Sequence, residues 1–387
     1  MGRRSEKFDA LAAGRIEETD ARESIERRWH KFSLEDESLA RMVTAVDTAH
    51  EPFHRWMPYT QGFSPQLVRH FLDTAHPLDL NTATGLLDPF SGSGTFVLEC
   101  ARRNVHATGV DVIAALAFLT NAAATASFPP LPDMRKCRSW QDAAAMLEEP
   151  IHRAALMLAV ARMHSGKGDR LRDAPPLPTL FNNVVRMIRE DLVNPLAAAP
   201  CLMAGDARRL TDIPDNSVGG ILTSPPYLSR HNYGKITRPL RRVYQTWHPP
   251  SESAPADQIA ADVHTDAHAD IMATHPAVVE SCAALQRRNL ASTAAVVTKY
   301  FADMRAVLKA CQRVLTPGAP CWMVVGGARV REIYVPADLI LGDIAKDCGF
   351  EVRQLVIARR LITAGRKLGN LSDIAPRESI LELHKKC

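Results

Sequence analysis

The sequence has no apolar stretch long enough to span a membrane and no cysteine spacing typical of a zinc site or a disulfide framework. Its eight cysteines are scattered without a C-x-x-C pair, as is usual for reduced thiols in a cytoplasmic protein. Residues 1–31 are charged throughout and lack the apolar region of a secretory signal. These absences exclude a membrane-spanning protein and a disulfide-stapled secreted domain, and we expect a cytoplasmic protein.

The chain also lacks a strong charge imbalance, since its formal net charge is only +4 over 387 residues. Binding to nucleic acid would therefore depend on a local basic patch and not on the total charge. The hydrophobic fraction of 46% and the charged fraction of 23% are ordinary for a soluble globular protein. The length allows one large domain with insertions or two smaller domains.

A five-residue motif, Thr223 to Tyr227 (TSPPY), follows an apolar run that is predicted to form a buried strand of a parallel sheet. The consecutive prolines Pro225 and Pro226 stiffen this backbone and keep it extended. The Ser224 hydroxyl and the Pro225 carbonyl would accept hydrogen bonds from an exocyclic amino group on a flat base, and the Tyr227 ring would stack on that base. The alternative, a proline-rich loop after a strand, stays open on these residues alone.

A glycine-rich turn joins a predicted strand to a predicted helix at residues 88–95, which read DPFSGSGT. Gly92 and Gly94 would let the backbone turn tightly and approach a ligand closely. A dinucleotide-binding fingerprint has a third glycine where this chain has Val97, and the DPF lead-in is unusual for a dehydrogenase. The turn therefore favours a different nucleoside-containing cofactor, although a lone G-x-G is a weak signal.

Acidic residues end the next two predicted strands. Asp111 closes the strand predicted at 105–110 and could accept hydrogen bonds from two ribose hydroxyls. Asp206 follows the strand predicted at 201–204 and could accept a hydrogen bond from an adenine amino group. Both acids would lie at the carboxyl ends of their strands, where open α/β sheets bind ligands.

A turn-rich aromatic segment precedes the glycine-rich turn. Within it, Ser64 followed by Pro65 predicts the N-cap and the first residue of a helix. Such a helix start could offer free N–H groups to a carboxylate. A capped helix that closes the sheet is equally compatible with these residues.

The alternation of strands and helices predicts an α/β fold, a doubly wound and mainly parallel sheet of seven strands with mostly helical insertions. The mixed charges near the N-terminus predict a helical segment at the periphery. We divide the chain into an N-terminal helical extension (1–50), a cofactor-binding part of the core (51–127), a helical insertion (128–199), a catalytic part of the core (200–227), a second insertion (228–296) and a C-terminal part of the core (297–387).

The second insertion begins with basic residues interleaved with aromatic ones, a pattern that suits phosphate contacts and base stacking. The basic residues are Arg230, Arg238, Arg241 and Arg242. A solvated polar loop is the alternative, because basic clusters are common on protein surfaces. The alternating histidines and aspartates of residues 264–270 are similar to a metal-binding pattern, but the segment lacks a fixed scaffold and we predict no metal site.

With both loops present in this order, the chain resembles the S-adenosylmethionine-dependent DNA amino-methyltransferases. DPFSGSGT matches the cofactor loop of that family, TSPPY matches its catalytic loop, and Phe63-Ser64-Pro65 resembles the segment that precedes the cofactor loop. The resemblance spans roughly residues 55–125, 200–227 and 297–385. It implies a Rossmann-like, seven-stranded methyltransferase sheet whose last strand is antiparallel. It also implies S-adenosyl-L-methionine as cofactor, double-stranded DNA as substrate, and a cognate restriction endonuclease as a partner acting on the same DNA site.

The resemblance further implies which residues form each site. The cofactor site would comprise Phe63, Asp88, Pro89, Phe90, Gly92, Gly94, Thr95, Asp111, Asp206 and Ala207. The catalytic residues would be Ser224, Pro225, Pro226 and Tyr227, and the DNA-binding residues would be Arg230, Arg238, Arg241 and Arg242. That insertion, together with residues 128–199, would recognise the target sequence, because the core accounts for neither.

The implied reaction transfers a methyl group to the exocyclic amine of a base that has been flipped out of the duplex. Ser224 as the first residue of the loop suggests cytosine N4, whereas an aspartate there would suggest adenine N6. The cofactor loop precedes the catalytic loop, unlike in many cytosine-N4 enzymes. Adenine-N6 methylation, RNA guanine-N2 methylation and a non-catalytic DNA-binding relative stay open. A cytosine-C5 enzyme is excluded because the chain has no Pro-Cys-Gln sequence.

Overall fold

The computed structural model describes residues 19–57, 62–74, 84–134, 137–164, 176–228, 237–249, 275–360 and 376–387. The strands in these ranges are β1 (Ser33–Glu35), β2 (Gly85–Asp88), β3 (Ala107–Asp111), β4 (Cys201–Ala204), β5 (Val218–Thr223), β6 (Pro320–Gly326), β7 (Ala328–Val330), β8 (Ile333–Val335), β9 (Phe350–Arg360) and β10 (Arg377–Lys385). The α-helices are α1 (Asp20–Trp29), α2 (Pro65–Thr74), α3 (Thr95–Arg102), α4 (Ala114–Asn121), α5 (Trp140–Met146), α6 (Pro150–Met163), α7 (Leu177–Asp191), α8 (Arg238–Tyr244), α9 (Pro276–Arg287), α10 (Ala291–Val314) and α11 (Ala337–Asp347). Within the described ranges, no helix has the length and apolar character needed to cross a membrane.

Eight of the strands form one sheet in the order β1-β9-β10-β6-β5-β2-β3-β4, and β7 pairs with β8 in a separate hairpin. Neighbouring strands of the large sheet are parallel, except that β10 runs antiparallel to both β6 and β9. The predicted fold class is therefore confirmed, including the antiparallel last strand. The sheet has one strand more than the seven predicted, because β1 adds to its edge beside β9.

Both faces of the sheet are covered, because successive residues of its central strands enter different hydrophobic clusters. Leu87 of β2 and Ile221 of β5 pack in a cluster that includes residues of α1, α9, α10 and α11. Their chain neighbours Leu86 and Leu222 pack on the other face with residues of α2 and α3. Side chains alternate between the faces of a strand, so apolar runs of this kind mark strands that are buried on both sides.

The expectation that the N-terminal segment is peripheral is wrong for residues 19–50. β1 pairs in the sheet, and Trp29 of α1 lies so close to α11 that a Cβ on Gly342 would be 2.2 Å from the indole. Arg22 is fully buried and donates from Nε to Glu280 at 2.6 Å. The charges of this segment are paired across long sequence separations, which a charge pattern by itself cannot indicate.

The two insertions pack against each other. α5, α6 and α7 of the first and α8 of the second contribute to one hydrophobic cluster, and we call these four helices the helical unit. Its centre is α6, where residues 154–160 are all buried. Within this insertion α5 ends at Met146 and α6 begins at Pro150, which occupies the first turn of the helix, where proline is tolerated.

The described remainder of the second insertion belongs to the core. α9 packs in the same cluster as α10, and α10 begins at Ala291. The boundary that we placed between residues 296 and 297 therefore falls inside one continuous helix. The histidine and aspartate pattern at 264–270 lies outside the described residues.

Candidate active site at the carboxyl edge of the sheet

The strand order reverses between β2 and β5. From β2 the chain continues to β3 and β4 on one side, and from β5 it continues to β6 on the other side. A reversal of this kind opens a crevice at the carboxyl ends of the two strands, where doubly wound sheets bind ligands. The DPFSGSGT turn leaves β2 and the TSPPY loop leaves β5, so the two motifs lie side by side at this crevice.

The glycine-rich turn takes a backbone shape that depends on its glycines. Gly92 has a φ of +52° and Gly94 a φ of +82°, values that other residues rarely adopt. A Cβ on Gly94 would also lie 2.4 Å from the side chain of Thr120, so there is no room for one. The turn closes through hydrogen bonds from Gly94 N–H to the Ser91 carbonyl at 2.8 Å and from Ser91 N–H to the Val110 carbonyl at 3.0 Å.

Asp111 at the end of β3 stabilises the glycine-rich turn through a hydrogen bond. Its carboxylate accepts from Gly92 N–H at 3.0 Å and from Ile113 N–H at 2.8 Å. Burial raises the pKa of Asp111 to about 6, and these two hydrogen bonds act in the opposite direction. Each carboxylate oxygen can accept a second hydrogen bond, so the half-buried side chain keeps the capacity to bind ribose hydroxyls.

Asp88 at the end of β2 connects the two motifs. Its Oδ1 accepts from the Thr223 hydroxyl at 2.7 Å and from Phe90 N–H at 3.1 Å. Burial raises the pKa of Asp88 to about 7. The sequence indicated a cofactor role for Asp88 but none for Thr223, because the partnership depends on which strands are neighbours.

The TSPPY loop packs against strand β6. The half-buried Ser224 donates from its hydroxyl to the Val324 carbonyl, at a long distance of 3.4 Å. Pro225 is buried, and the Tyr227 ring lies where a Cβ on Gly326 would be 3.4 Å from it. A bond of that length is weak, so the Ser224 hydroxyl can turn to accept from a ligand. A Cβ on Gly326, a residue that sequence reasoning missed, would be only 3.1 Å from the Arg377 carbonyl.

Asp206 follows β4 and is paired within the protein. Arg208 donates to it from its backbone N–H at 2.9 Å and from its guanidinium at 2.8 to 3.0 Å. Burial acts to raise the pKa of Asp206, but the Arg208 hydrogen bonds outweigh it and the pKa is lowered. Arg208 also reaches Asp303 of α10 at 3.3 Å. The next residue, Ala207, is buried in the core. Asp206 is thus kept ionised as an acceptor after the carboxyl end of β4.

The remaining predicted cofactor residues are buried, except for the half-buried Phe90. Ser64 caps α2 by accepting from Gln66 N–H at 3.2 Å, so the predicted N-cap is confirmed. Phe63 is buried in the hydrophobic cluster that includes residues of α2. Its role in cofactor binding stays a prediction. Pro89 and Thr95 are buried at the two ends of the glycine-rich turn.

The predicted DNA-binding arginines lie on the helical unit. Arg238, Arg241 and Arg242 are all exposed on α8. The guanidinium of Arg242 lies 5.9 Å from the centre of the Trp140 ring in the first insertion. Arg230 lies outside the described residues.

A largely buried cluster beside α3 contains side chains of the types that bind metals, but arginines already pair with its carboxylates. Glu51, His54 and Glu99 place possible ligand atoms within 4.8 Å of one another. The carboxylate of Glu99, however, already accepts from His54 at 2.8 Å and from Arg69 Nε at 2.8 Å. Burial opposes these hydrogen bonds, yet they lower the pKa of Glu99 to about 2. Because Arg69 and Arg102 both pair with Glu99, the cluster is an ion-pair network that anchors residues 51–57 to α3.

Comparison with curated proteins finds type II methyltransferases. The chain is 21% identical to type II methyltransferase M.AvaI of Nostoc sp. across 89% of this chain and 90% of that protein. It is 29% identical to type II methyltransferase M.BsoBI of Geobacillus stearothermophilus across 23% of this chain and 17% of that protein. The chain is thus weakly similar in sequence to type II methyltransferases. No protein-family model matches it.

Among solved structures, geranyl diphosphate methyltransferase in complex with GPP and sinefungin is matched over 86% of this chain and 80% of that chain. The sequence identity is 10% and the TM-score is 0.36. A similarity of this size has no bearing on function.

Proposed function

We propose that this protein is an S-adenosylmethionine-dependent methyltransferase that acts on the exocyclic N4 amino group of cytosine in double-stranded DNA. The observation that carries the proposal is the position of the two loops on adjacent strands at the reversal of the sheet, joined by the Thr223–Asp88 hydrogen bond. Similarity to a type II methyltransferase over nearly the whole chain supports it. The natural context is a restriction–modification system, in which a cognate endonuclease would act on the same DNA site.

The chemistry of the crevice fits S-adenosylmethionine. A carboxylate lies at the carboxyl end of each of three strands: Asp88 ends β2, Asp111 ends β3, and Asp206 follows β4. The turn at 88–95 contains no basic residue. Such a set of acceptors suits a nucleoside that carries hydroxyls, an amine and positive charge. When bound, this cofactor supplies an electrophilic methyl group on a sulfonium. Asp111 would bind the ribose, Asp206 the adenine amine, and the N-terminus of α3 lies behind the glycine-rich turn.

The TSPPY loop would prepare the amine for attack. The lone pair of an exocyclic amine is delocalised into the base, so the amine is a poor nucleophile. Hydrogen bonds from the amine to the Ser224 hydroxyl and the Pro225 carbonyl would favour a pyramidal nitrogen whose lone pair points away from the ring. Most of the acceleration would come from orientation and from these fixed acceptors. Tyr227 would stack on the flipped base, and Pro226 would keep the loop rigid.

The helical unit would hold the DNA. It joins both insertions, and its α8 exposes three arginines with no carboxylate among the residues of that helix. The Arg242–Trp140 contact places a basic residue of one insertion over an aromatic residue of the other. Phosphate contacts from such arginines position a duplex without reading its sequence.

One experiment tests the proposed reaction. The protein is incubated with duplex DNA and isotopically labelled S-adenosylmethionine, and the DNA is digested so that the modified nucleoside can be identified by mass. N4-methylcytosine is the expected product. N6-methyladenine would assign the protein to the other amino-methyltransferase subclass, and label in RNA alone would overturn the DNA substrate. Binding of cofactor and DNA without transfer would indicate a non-catalytic relative.

A further inference from the structure

The hydrogen bond between Thr223 and Asp88 joins the two ligand sites through the interior of the protein. Thr223 is the last residue of β5 and Asp88 the last of β2, and the exposed fraction is 0% for Thr223 and 1% for Asp88. The register of the two strands pairs Leu87 with Ile221, so both residues reach the same edge of the sheet. The donor–acceptor distance of 2.7 Å is typical of a good O–H···O bond.

The hydrogen bonds to Asp88 are distributed unevenly over its carboxylate. Among the described residues, both donors, Thr223 and Phe90, reach the same oxygen, Oδ1. The second oxygen, Oδ2, receives no hydrogen bond from these residues. The arrangement fixes the plane of the carboxylate from within the protein and leaves one acceptor for a ligand at the crevice.

We propose that Thr223 is a positioning residue for both ligands. Its hydroxyl orients Asp88 so that Oδ2 faces the positively charged part of the cofactor, and the same bond holds the TSPPY loop at a fixed distance from the glycine-rich turn. Cofactor binding and target-base binding are then coupled, each strengthening the other through one buried contact. The inference rests on the proposed function, since it requires a cationic cofactor in the crevice.

The coupling has a pH signature. Burial raises the pKa of Asp88 to about 7, while the Thr223 hydroxyl and Phe90 N–H lower it and the nearby Asp111 raises it. Among the described residues, the thiols of Cys100 on α3 and Cys311 on α10 also interact electrostatically with Asp88. A cationic cofactor binds the ionised carboxylate, so affinity increases as the pH rises through about 7. Without the Thr223 hydroxyl the pKa is higher, and the midpoint of that increase moves to higher pH.

The test compares Thr223→Val, which keeps the shape but removes the donor, with Thr223→Ser, which keeps the donor. Calorimetry measures the binding of S-adenosylmethionine by the full chain over a pH series that brackets the pKa of Asp88. We expect Thr223→Val to weaken binding about tenfold near neutral pH, in line with the loss of a hydrogen bond to a charged group. Its midpoint moves upward, whereas Thr223→Ser keeps the wild-type affinity and midpoint.

Two further measurements complete the test. In an Asp88→Asn background, Thr223→Val should have no additional effect, because the hydroxyl then has no carboxylate to act on. Thermal unfolding of each variant reports folding, and Thr223→Ala replaces Thr223→Val if the latter does not fold. Wild-type midpoint and affinity in Thr223→Val, or an equal loss in Thr223→Ser, would overturn the inference while leaving the proposed function intact. Absence of cofactor binding by the wild-type protein at every pH would instead overturn the proposed function, and the inference with it.

Discussion

The carboxyl edge of the sheet and the helical unit are held together by different interactions. At the edge, buried or half-buried polar groups bond to one another, as Asp88 does with Thr223 and Asp111 with Gly92 N–H. In the helical unit, apolar side chains of α5, α7 and α8 surround the buried helix α6, and the arginines of α8 stay at the surface. Directional bonds tolerate little displacement, whereas an apolar core accepts substitutions that conserve volume. The edge is therefore suited to a reaction that requires a fixed geometry. The helical unit would suit a recognition surface whose side chains can vary.

The largest expected effect is at the edge. Ser224→Ala removes one acceptor for the target amine, so turnover should fall by about 100-fold or more, as when a single preorganised hydrogen-bond partner is lost. Cofactor affinity should stay within about twofold, because the proposed role of Ser224 is to bind the base and not the cofactor. Single-turnover methylation and calorimetry measure the two quantities.

The matched control for this prediction is Ser217→Ala. Ser217 lies just before β5, at the opposite end of that strand, and its hydroxyl donates to the Pro214 carbonyl at 2.7 Å. Its replacement should leave turnover unchanged. Equal losses of turnover and cofactor binding in Ser224→Ala would mean that the base site has been assigned to the wrong loop.

The helical unit should lose stability when one buried carboxylate, that of Asp191, is replaced. Asp191 at the end of α7 is buried and accepts from Phe53 N–H at 2.7 Å and from the Trp56 indole at 2.8 Å. Asp191→Asn should reduce the free energy of unfolding by about 2 kcal/mol, the usual scale for hydrogen bonds to a charged group. Chemical denaturation measures the change, and hydrogen exchange locates it. The exposed neighbour Glu190 pairs with Arg55 at 3.1 Å, and Glu190→Gln should have little effect. A similar loss in both variants would show that burial is not the cause.

A smaller effect is expected in the glycine-rich turn. Gly94→Ala forces a side chain into the left-handed region and against Thr120, so we expect a loss of about tenfold in cofactor affinity. Gly318→Ala is the matched control, because Gly318 also has a positive φ of +78° but its nearest neighbour is 3.8 Å away and it lies in the turn after α10. The control should lose stability without losing cofactor affinity. Equal losses of cofactor affinity in Gly94→Ala and Gly318→Ala would mean that general destabilisation causes the effect.

The smallest expected effect per residue belongs to the surface of the helical unit. Replacing both Arg238 and Arg241 by Gln should weaken DNA binding by about tenfold at low salt and lower the slope of log K against log salt by about two, one for each phosphate contact. Arg353→Gln on β9 removes an exposed arginine from the sheet and should leave the slope unchanged. Fluorescence anisotropy with a labelled duplex over a salt series measures both. An unchanged slope in the double variant would contradict phosphate binding by α8.

Much of the fold could be predicted because its signals are local. The seven predicted strands are all present, since short apolar runs bounded by turn residues identify strands without knowledge of their neighbours. Proline and glycine chemistry drew attention to the TSPPY loop and the glycine-rich turn, and the resemblance to a known family supplied their expected roles. β1 was missed because its three residues, Ser33–Glu35, are mixed in polarity and form a strand only through pairing with β9.

The sequence by itself determined the strands, the two motifs and the residue types that suit a cationic nucleoside and an exocyclic amine. The tertiary structure decided that β2 and β5 are neighbours, that Thr223 reaches Asp88, and that two insertions far apart in the chain form one helical unit. The physical reason is that local patterns record which face of a segment is buried, whereas strand order and the partners of buried polar groups depend on contacts between residues distant in the chain. The coupling between the two candidate ligand sites belongs to this second kind.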